Sequence, residues 1–110
     1  MLTLRGVDEA LRALADSTRR RILALVWDEE RTAGEIASGF AVSRPAVSQH
    51  LGVLRASKLV TLRRAGTRYF YRANHRAIAR LRAELGAFWD ERLAHLRDQA
   101  EAAERNRRRP

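Results

Sequence analysis

Leu4, Val7, Leu11 and Leu14 recur at steps of three and four. That spacing lines apolar side chains along one face of a helix, so an amphipathic helix is predicted to open the chain and end near Ala15. Asp16 then stands where an N-cap belongs, its short carboxylate able to accept from amides that a first turn leaves unpaired. The stretch "STRRRILALVW" follows as a second helix with Ile22, Leu23, Leu25 and Val26 inward. Asp28, Glu29 and Glu30 form an acidic loop. Thr32 and Glu35 have the Thr-x-x-Glu spacing of a capping box, which starts a short third helix carrying Ile36 and Ala37 and ending about Gly39. Phe40 to Val42 are read as a tight turn.

Ser43 caps the next helix, over residues 43–57, and Pro45 in its first turn costs no hydrogen bond because the first amides of a helix have no intrahelical acceptor. Val47, Leu51 and Leu54 fix its buried face, so Arg44, Ser48, Gln49, Gly52 and Arg55 project elsewhere. After Lys58 the period changes from about 3.6 to 2: "LVTLRRAGTRYFYRA" alternates β-branched and aromatic residues around Ala65-Gly66, the pattern of a hairpin with a short turn. Phe70 is read as its core-facing aromatic, with a one-residue shift of the turn as the alternative. Asn74 caps a last long helix through about Glu104, with Ile78, Leu81, Leu85, Phe88, Trp89, Leu93 and Leu96 along it. Residues 105–110 are expected to be a basic, disordered tail. The fold class is therefore mainly α with a β-hairpin, in the order four helices, hairpin, long C-terminal helix, as one domain over residues 1–104.

Composition narrows the chemistry. With 110 residues, 45% of them apolar, the chain can bury one modest core. It has no cysteine, which excludes disulfides, thiolate metal sites and thiol redox sensing. Nothing reads as a signal or membrane-spanning segment, so the expected compartment is the cytoplasm. The net charge of +9 is unevenly placed: residues 1–35 hold six arginines and seven acids, residues 84–110 hold six of each, and residues 36–83 hold ten basic residues and no acid. Positive charge concentrated on one segment of a neutral scaffold suits a polyanion, because each neutralised phosphate releases condensed counterions.

The helices at 32–39 and 43–57 have the spacing of a helix-turn-helix, whose second helix lies in the DNA major groove. The acid-free exposed face of that helix and the basic hairpin after it point to double-stranded DNA. Arg44 can fork onto guanine or clamp a phosphate, Gln49 can pair with adenine, and Ser48 can reach a base edge or a phosphate. His50 either touches phosphate or is partly packed. Arg55 and Lys58 at the helix end are expected on backbone phosphates. Arg63, Arg64, Thr67 and Arg68 stand at or beside the hairpin tip, a wing that can reach the adjacent minor groove or backbone. Catalysis is not expected, since the acid-free stretch removes carboxylate partners, the histidines lie apart at 50, 75 and 95, and no glycine-rich phosphate loop is present. An RNA-binding or protein-interaction module is the other rival, and the lack of RNP-type aromatic motifs speaks against RNA.

The segments "LADSTRRRILALV", "TAGEIA" and "VSRPAVSQHLGVLRASKLVTLRRAGTRYFYRAN" resemble the ArsR family of bacterial winged helix-turn-helix repressors over about residues 7–100. The resemblance implies a homodimer on an inverted-repeat operator, often that of its own operon, with Ser43, Arg44, Ser48, Gln49, His50, Arg64 and Arg68 at DNA-contact positions. It also implies an interface built from the first and last helices, which places Leu4, Val7, Leu11, Leu81, Leu85, Phe88, Trp89, Leu93 and Leu96 there. Many similar repressors sense metals through a cysteine pair, absent here, or through a carboxylate and histidine set across the last helices. His95 and Asp98 could supply half of such a set, but Arg82 and Glu84 stand where the other half is expected. No metal or other cofactor is therefore expected. The alternative is a metal- or small-molecule-responsive sensor using the last helix, with an apolar effector inserted between the last helices. The sequence names no effector.

Overall fold

Four short polar side chains start four of the helices in a computed structural model of the chain, which describes residues 4–108 and their side chains from residue 6 onward. The elements are α1 (Leu4–Leu14), α2 (Ser17–Leu25), α3 (Ala33–Ser38), α4 (Arg44–Ala56), β1 (Val60–Ala65), β2 (Arg68–Ala73) and α5 (His75–Arg107). The Asp16 carboxylate accepts from the Arg19 amide at 3.0 Å, Ser43 Oγ from the Ala46 amide at 3.2 Å, and Asn74 Oδ1 from the Ala77 amide at 3.2 Å. Thr32 and Glu35 complete a reciprocal capping box, each side chain accepting from the other's backbone amide. Each cap satisfies a donor that the first turn leaves orphaned, and losing one costs about 1 kcal/mol.

The core is built from Ala10 and Ala13 of α1, Ile22, Leu23 and Val26 at and after α2, Ile36 of α3, and Val47, Leu51 and Leu54 of α4. Leu59, Val60, Ala73 and Leu81 close it. One expected inward position is corrected. Leu25 is 37% exposed: at about 100° per residue, a face centred on Ile22, Leu23 and Val26 leaves it on the flank. In α1 the face in closest contact runs through Ala10 and Ala13, whose small side chains let the helix lie against α2 and α4, while Leu11 stands out at 41% exposure.

Helix α4 ends in a left-handed residue that is not glycine. Lys58 has φ +65°, its amide donates to the Arg55 carbonyl at 3.0 Å, and the Leu59 amide donates back to the Leu54 carbonyl at 2.9 Å. This paired closure satisfies two carbonyls that the last turn would otherwise leave open.

Strands β1 and β2 pair antiparallel from Val60↔Ala73 to Ala65↔Arg68, leaving Gly66-Thr67 as the loop. Gly66 supplies the positive φ of +62° that a two-residue hairpin needs. The loop lies one residue later than the expected Ala65-Gly66, and a one-residue slip turns every side chain to the other face. Tyr71, opposite Leu62, therefore packs against the core. Phe70, expected there, lies on the outer face beneath the guanidinium groups of Arg63 and Arg68, 4.7 and 5.2 Å from its centroid.

With 33 residues, α5 is about 50 Å long. Ile78, Leu81 and Leu85 in its first turns pack on the core, and α5 meets α1. From Phe88 onward the helix projects from the body, giving the molecule a long axis of 76 Å. It runs to Arg107, three residues past Glu104, so the expected tail begins too early. Arg105 and Arg107 in its last turn suit the negative end of the helix dipole, and Glu104 pairs with Arg107 and Arg108 at 3.0 and 3.2 Å. The last two residues of that tail, Arg109 and Pro110, lie outside the described residues, as does the side chain of Leu4. Among the described residues no helix is long and apolar enough to cross a membrane.

Candidate nucleic-acid interface

Helices α3 and α4, joined by residues 39–43, pack through Ile36, Val47 and Leu51, and this turns the opposite face of α4 outward. Arg44, Ser48, Gln49, Gly52 and Arg55 are exposed along that face, the capping Ser43 is exposed at its start, and Lys58 is exposed beyond its end. No carboxylate stands on the helix itself, because none occurs between Ile36 and Ala83.

His50 is placed differently. It is half-buried against α2, with its Nδ1 3.4 Å from an Arg19 guanidinium nitrogen. Arg19 also donates to the carbonyls of Ala13 and Arg12 at 2.7 and 3.1 Å and stands 3.8 Å from the Asp16 carboxylate. Of the two readings of His50, packing is the one these contacts support. Arg19 ties α1, α2 and α4 together, a role not assigned to it from the sequence. The Arg19 amide that Asp16 caps, helped by the charge of the Arg19 guanidinium, holds the Asp16 carboxyl below its ordinary range.

The wing arginines are not equivalent. Arg63, expected at or beside the tip as a DNA contact, lies down the strand opposite Phe70 and grips Glu30 with both ends of its fork: Nε donates to Oε2 at 2.9 Å, and Nη2 donates to Oε1. That hydrogen bonding keeps the Glu30 carboxyl below its ordinary range and raises Arg63. Arg63, expected at or beside the tip, is thus held to Glu30 within the fold while its side chain stays about half exposed. Arg68 lies 3.6 Å from Glu35, whose carboxyl is lowered first by the Thr32 hydroxyl and amide of the capping box and then by Arg68. Arg64 donates from Nε to the Gly66 carbonyl at 2.9 Å and sits over Tyr69 at 5.7 Å. Among the described residues it pairs with no acid. Thr67 is exposed at the tip.

Between the start of α3, the first turns of α4 and the wing lies an open groove of about 430 Å³, lined by Thr32, Arg44, Ser48, Thr67, Arg68 and Tyr69 among others. It brings the helix and wing candidates to one surface. Arg55 and Lys58 lie at the far end of α4, outside this groove.

The expected interface residues divide as well. Leu81 is 3% exposed and belongs to the protomer's own core, which corrects its assignment to an interface between copies: α5 leaves the body only after it. Val7 and Leu85 are half-buried against that core. Leu11, Phe88, Trp89, Leu93 and Leu96 are exposed, with Phe88 and Trp89 edge to face at 5.6 Å. Further along, His95 Nε2 lies 3.2 Å from the Gln99 amide nitrogen, and Asp98 lies 3.8 Å from Arg97. No three carboxylate or imidazole groups of one chain converge on a metal-sized site among the described residues.

A helix-turn-helix domain model matches residues 14–63. Over 93 residues the chain is 46% identical to the HTH-type transcriptional regulator Rv2034 of Mycobacterium tuberculosis, a match covering 84% of this chain and 87% of that protein. It is also similar to the solved structure of an ArsR-like transcriptional regulator from Rhodococcus sp. RHA1, with a TM-score of 0.73 and 31% identity over 87% of this chain and 93% of that one. The chain belongs to the ArsR family of helix-turn-helix transcriptional regulators. Another similar solved structure is the homodimeric winged helix-turn-helix DNA-binding domain of a possible ArsR-family regulator from Mycobacterium bovis, matched with a TM-score of 0.65 and 36% identity over 84% of this chain and 85% of that domain. In ArsR-family terms α3 and α4 are the helix-turn-helix, and β1 and β2 are the wing.

Proposed function

We propose that this ArsR-family chain is a cytoplasmic, homodimeric repressor that binds an inverted-repeat operator in duplex DNA, including one upstream of its own gene. The observation that carries the reading is the acid-free outer face of α4, where Arg44, Ser48, Gln49 and Arg55 stand exposed on a helix anchored by Val47, Leu51 and Leu54. A rigid helix presenting hydrogen-bonding side chains without carboxylates suits a major groove edged by phosphates. Arg64 and Thr67 at the wing tip suit the backbone beside that groove, and Ser43, Lys58 and Arg68 add polar or cationic groups around it.

The exposed apolar stretch of α5, Phe88, Trp89, Leu93 and Leu96, together with exposed Leu11 of α1, supports pairing with a second copy. The homodimeric state of the Mycobacterium bovis neighbour supports the same arrangement. A two-fold dimer places two α4 helices for half-sites about one helical turn of DNA, ~34 Å, or a multiple of it apart. Such a protein represses by occupying the promoter, a role that requires no catalytic group.

The test is selection of duplexes from a random pool by the purified protein, followed by anisotropy titration of the selected duplex, a scrambled duplex and the matching RNA. The selected duplex should bind roughly a thousandfold or more tighter than the scrambled one, with affinity falling steeply as salt rises. Equal affinity for all three would defeat the reading.

A further inference from the structure

Two arginine–glutamate pairs strap the wing to the body, one from each strand. From β1, Arg63 holds Glu30 through the two-pronged contact described above. From β2, Arg68 reaches Glu35 on α3. The main chain supports both, since Arg31 and Tyr71 exchange backbone hydrogen bonds at 3.0 and 2.8 Å and thereby lay residue 31 alongside β2. The segment that sequence alone reads as an acidic loop is thus the seat of the hairpin.

We infer that Glu30 and Glu35 are positioning residues for DNA binding: through Arg63 and Arg68 they hold the wing at a fixed angle to α4 and aim Arg64 and Thr67 at the flanking backbone. This rests on the DNA-binding reading above. A two-stranded hairpin has little stability of its own, so its orientation must come from outside the sheet. An exposed ion pair contributes little to overall stability, yet the Arg63–Glu30 fork, held at both prongs, fixes direction, and the single 3.6 Å contact of Arg68 with Glu35 adds a weaker tie on the other strand. Arg63 therefore serves the fold, Arg72 reaches the Asp28 carbonyl at 3.5 Å, and Arg68 stands between Glu35 and the groove, while Arg64 at the tip is held only within the hairpin.

The inference has a sign opposite to that of simple electrostatics. Removing an acid beside a polyanion should tighten binding to every duplex. If Glu30 positions the wing, Glu30→Gln should instead weaken binding to the duplex selected by the wild-type protein, by about fivefold or more, a loss of ~1 kcal/mol, while leaving the scrambled duplex equal or tighter. Glu35→Gln should act likewise, and because glutamine still serves a capping box it spares the start of α3. The double exchange Glu30→Arg with Arg63→Glu restores the pair at unchanged net charge and should recover much of the loss.

Hydrogen exchange on the DNA-free protein supplies a separate readout: the Tyr71 amide, donated to Arg31, should exchange faster in Glu30→Gln. If the wild-type protein selects no duplex, the functional reading fails, and exchange at Tyr71 alone decides the strap. Unchanged or tighter binding of the selected duplex by both glutamine variants overturns the inference, whatever the exchange shows.

Discussion

Leu81 and Trp89 stand eight residues apart on α5, yet the first is 3% exposed and the second 58%. The helix passes from core element to projecting arm between them, so their substitutions should fail differently. Leu81→Ala leaves a cavity inside the protomer and should cost about 2–5 kcal/mol, seen as a lower denaturation midpoint. Trp89→Asp should keep the helical circular dichroism of the native protein, sediment as a monomer and bind the selected duplex weakly. A Trp89→Asp protein that still sediments as a dimer would move the interface away from this stretch.

Gln49 and Arg64 lie on different elements and should lose different things. Gln49→Ala removes a base-edge donor and acceptor pair, worth about 1–3 kcal/mol of discrimination, and should relax sequence preference with little change on scrambled DNA. Arg64→Ala removes a phosphate-directed charge, so it should weaken all duplexes alike and reduce the salt slope by roughly one unit. Equal losses on selected and scrambled DNA from both variants would refute this division of roles.

The caps were legible in the sequence because Asp16, Thr32, Ser43 and Asn74 each precede an apolar periodic run, and a short polar side chain there has one obvious use. The buried face of α4 was legible for a similar reason: Val47, Leu51 and Leu54 admit only one helical phase. The phase of the wing was not, since either register of "RYFY" turns an aromatic inward and only the position of Gly66 in the loop decides between them. The ion pair of Arg63 was not legible, because its partner lies 33 residues away. A signal existed even so. With no acid between Ile36 and Ala83, any carboxylate meeting the wing had to come from outside that span, and Glu30 and Glu35 are the nearest before it.

Asp16, Glu30 and Glu35 all have folded-state carboxyl groups held below their ordinary values of 3.8, 4.5 and 4.5. A depressed folded value means that each contributes stability that is fully present above the ordinary value and is lost as pH falls through the folded one. The urea midpoint should therefore change little through these groups from neutrality to about pH 5 and then fall. Asp16→Asn keeps a capping oxygen and removes the titration, so its acid-side fall should be shallower than that of the native protein. Identical profiles would show that the Asp16 carboxylate gains nothing from its charge.

Lys58 carries two conflicting demands. Its φ of +65° closes α4 in the left-handed conformation, which costs an L-residue about 1–2 kcal/mol and costs glycine nothing. Lys58→Gly should therefore stabilise the domain by about 1 kcal/mol after the looser unfolded chain is counted, raising its thermal midpoint by roughly 4 °C. Glycine also removes the ammonium group that stands exposed beyond the end of α4. If that group meets a backbone phosphate, the stabilised variant should bind both selected and scrambled duplexes more weakly, with a salt slope shallower by about one unit. Stability and affinity would then move in opposite directions, which is reason enough for a lysine to occupy a position that suits glycine. A variant that gains stability and binds DNA as tightly as the native protein would place Lys58 outside the interface and leave its strain without a functional return.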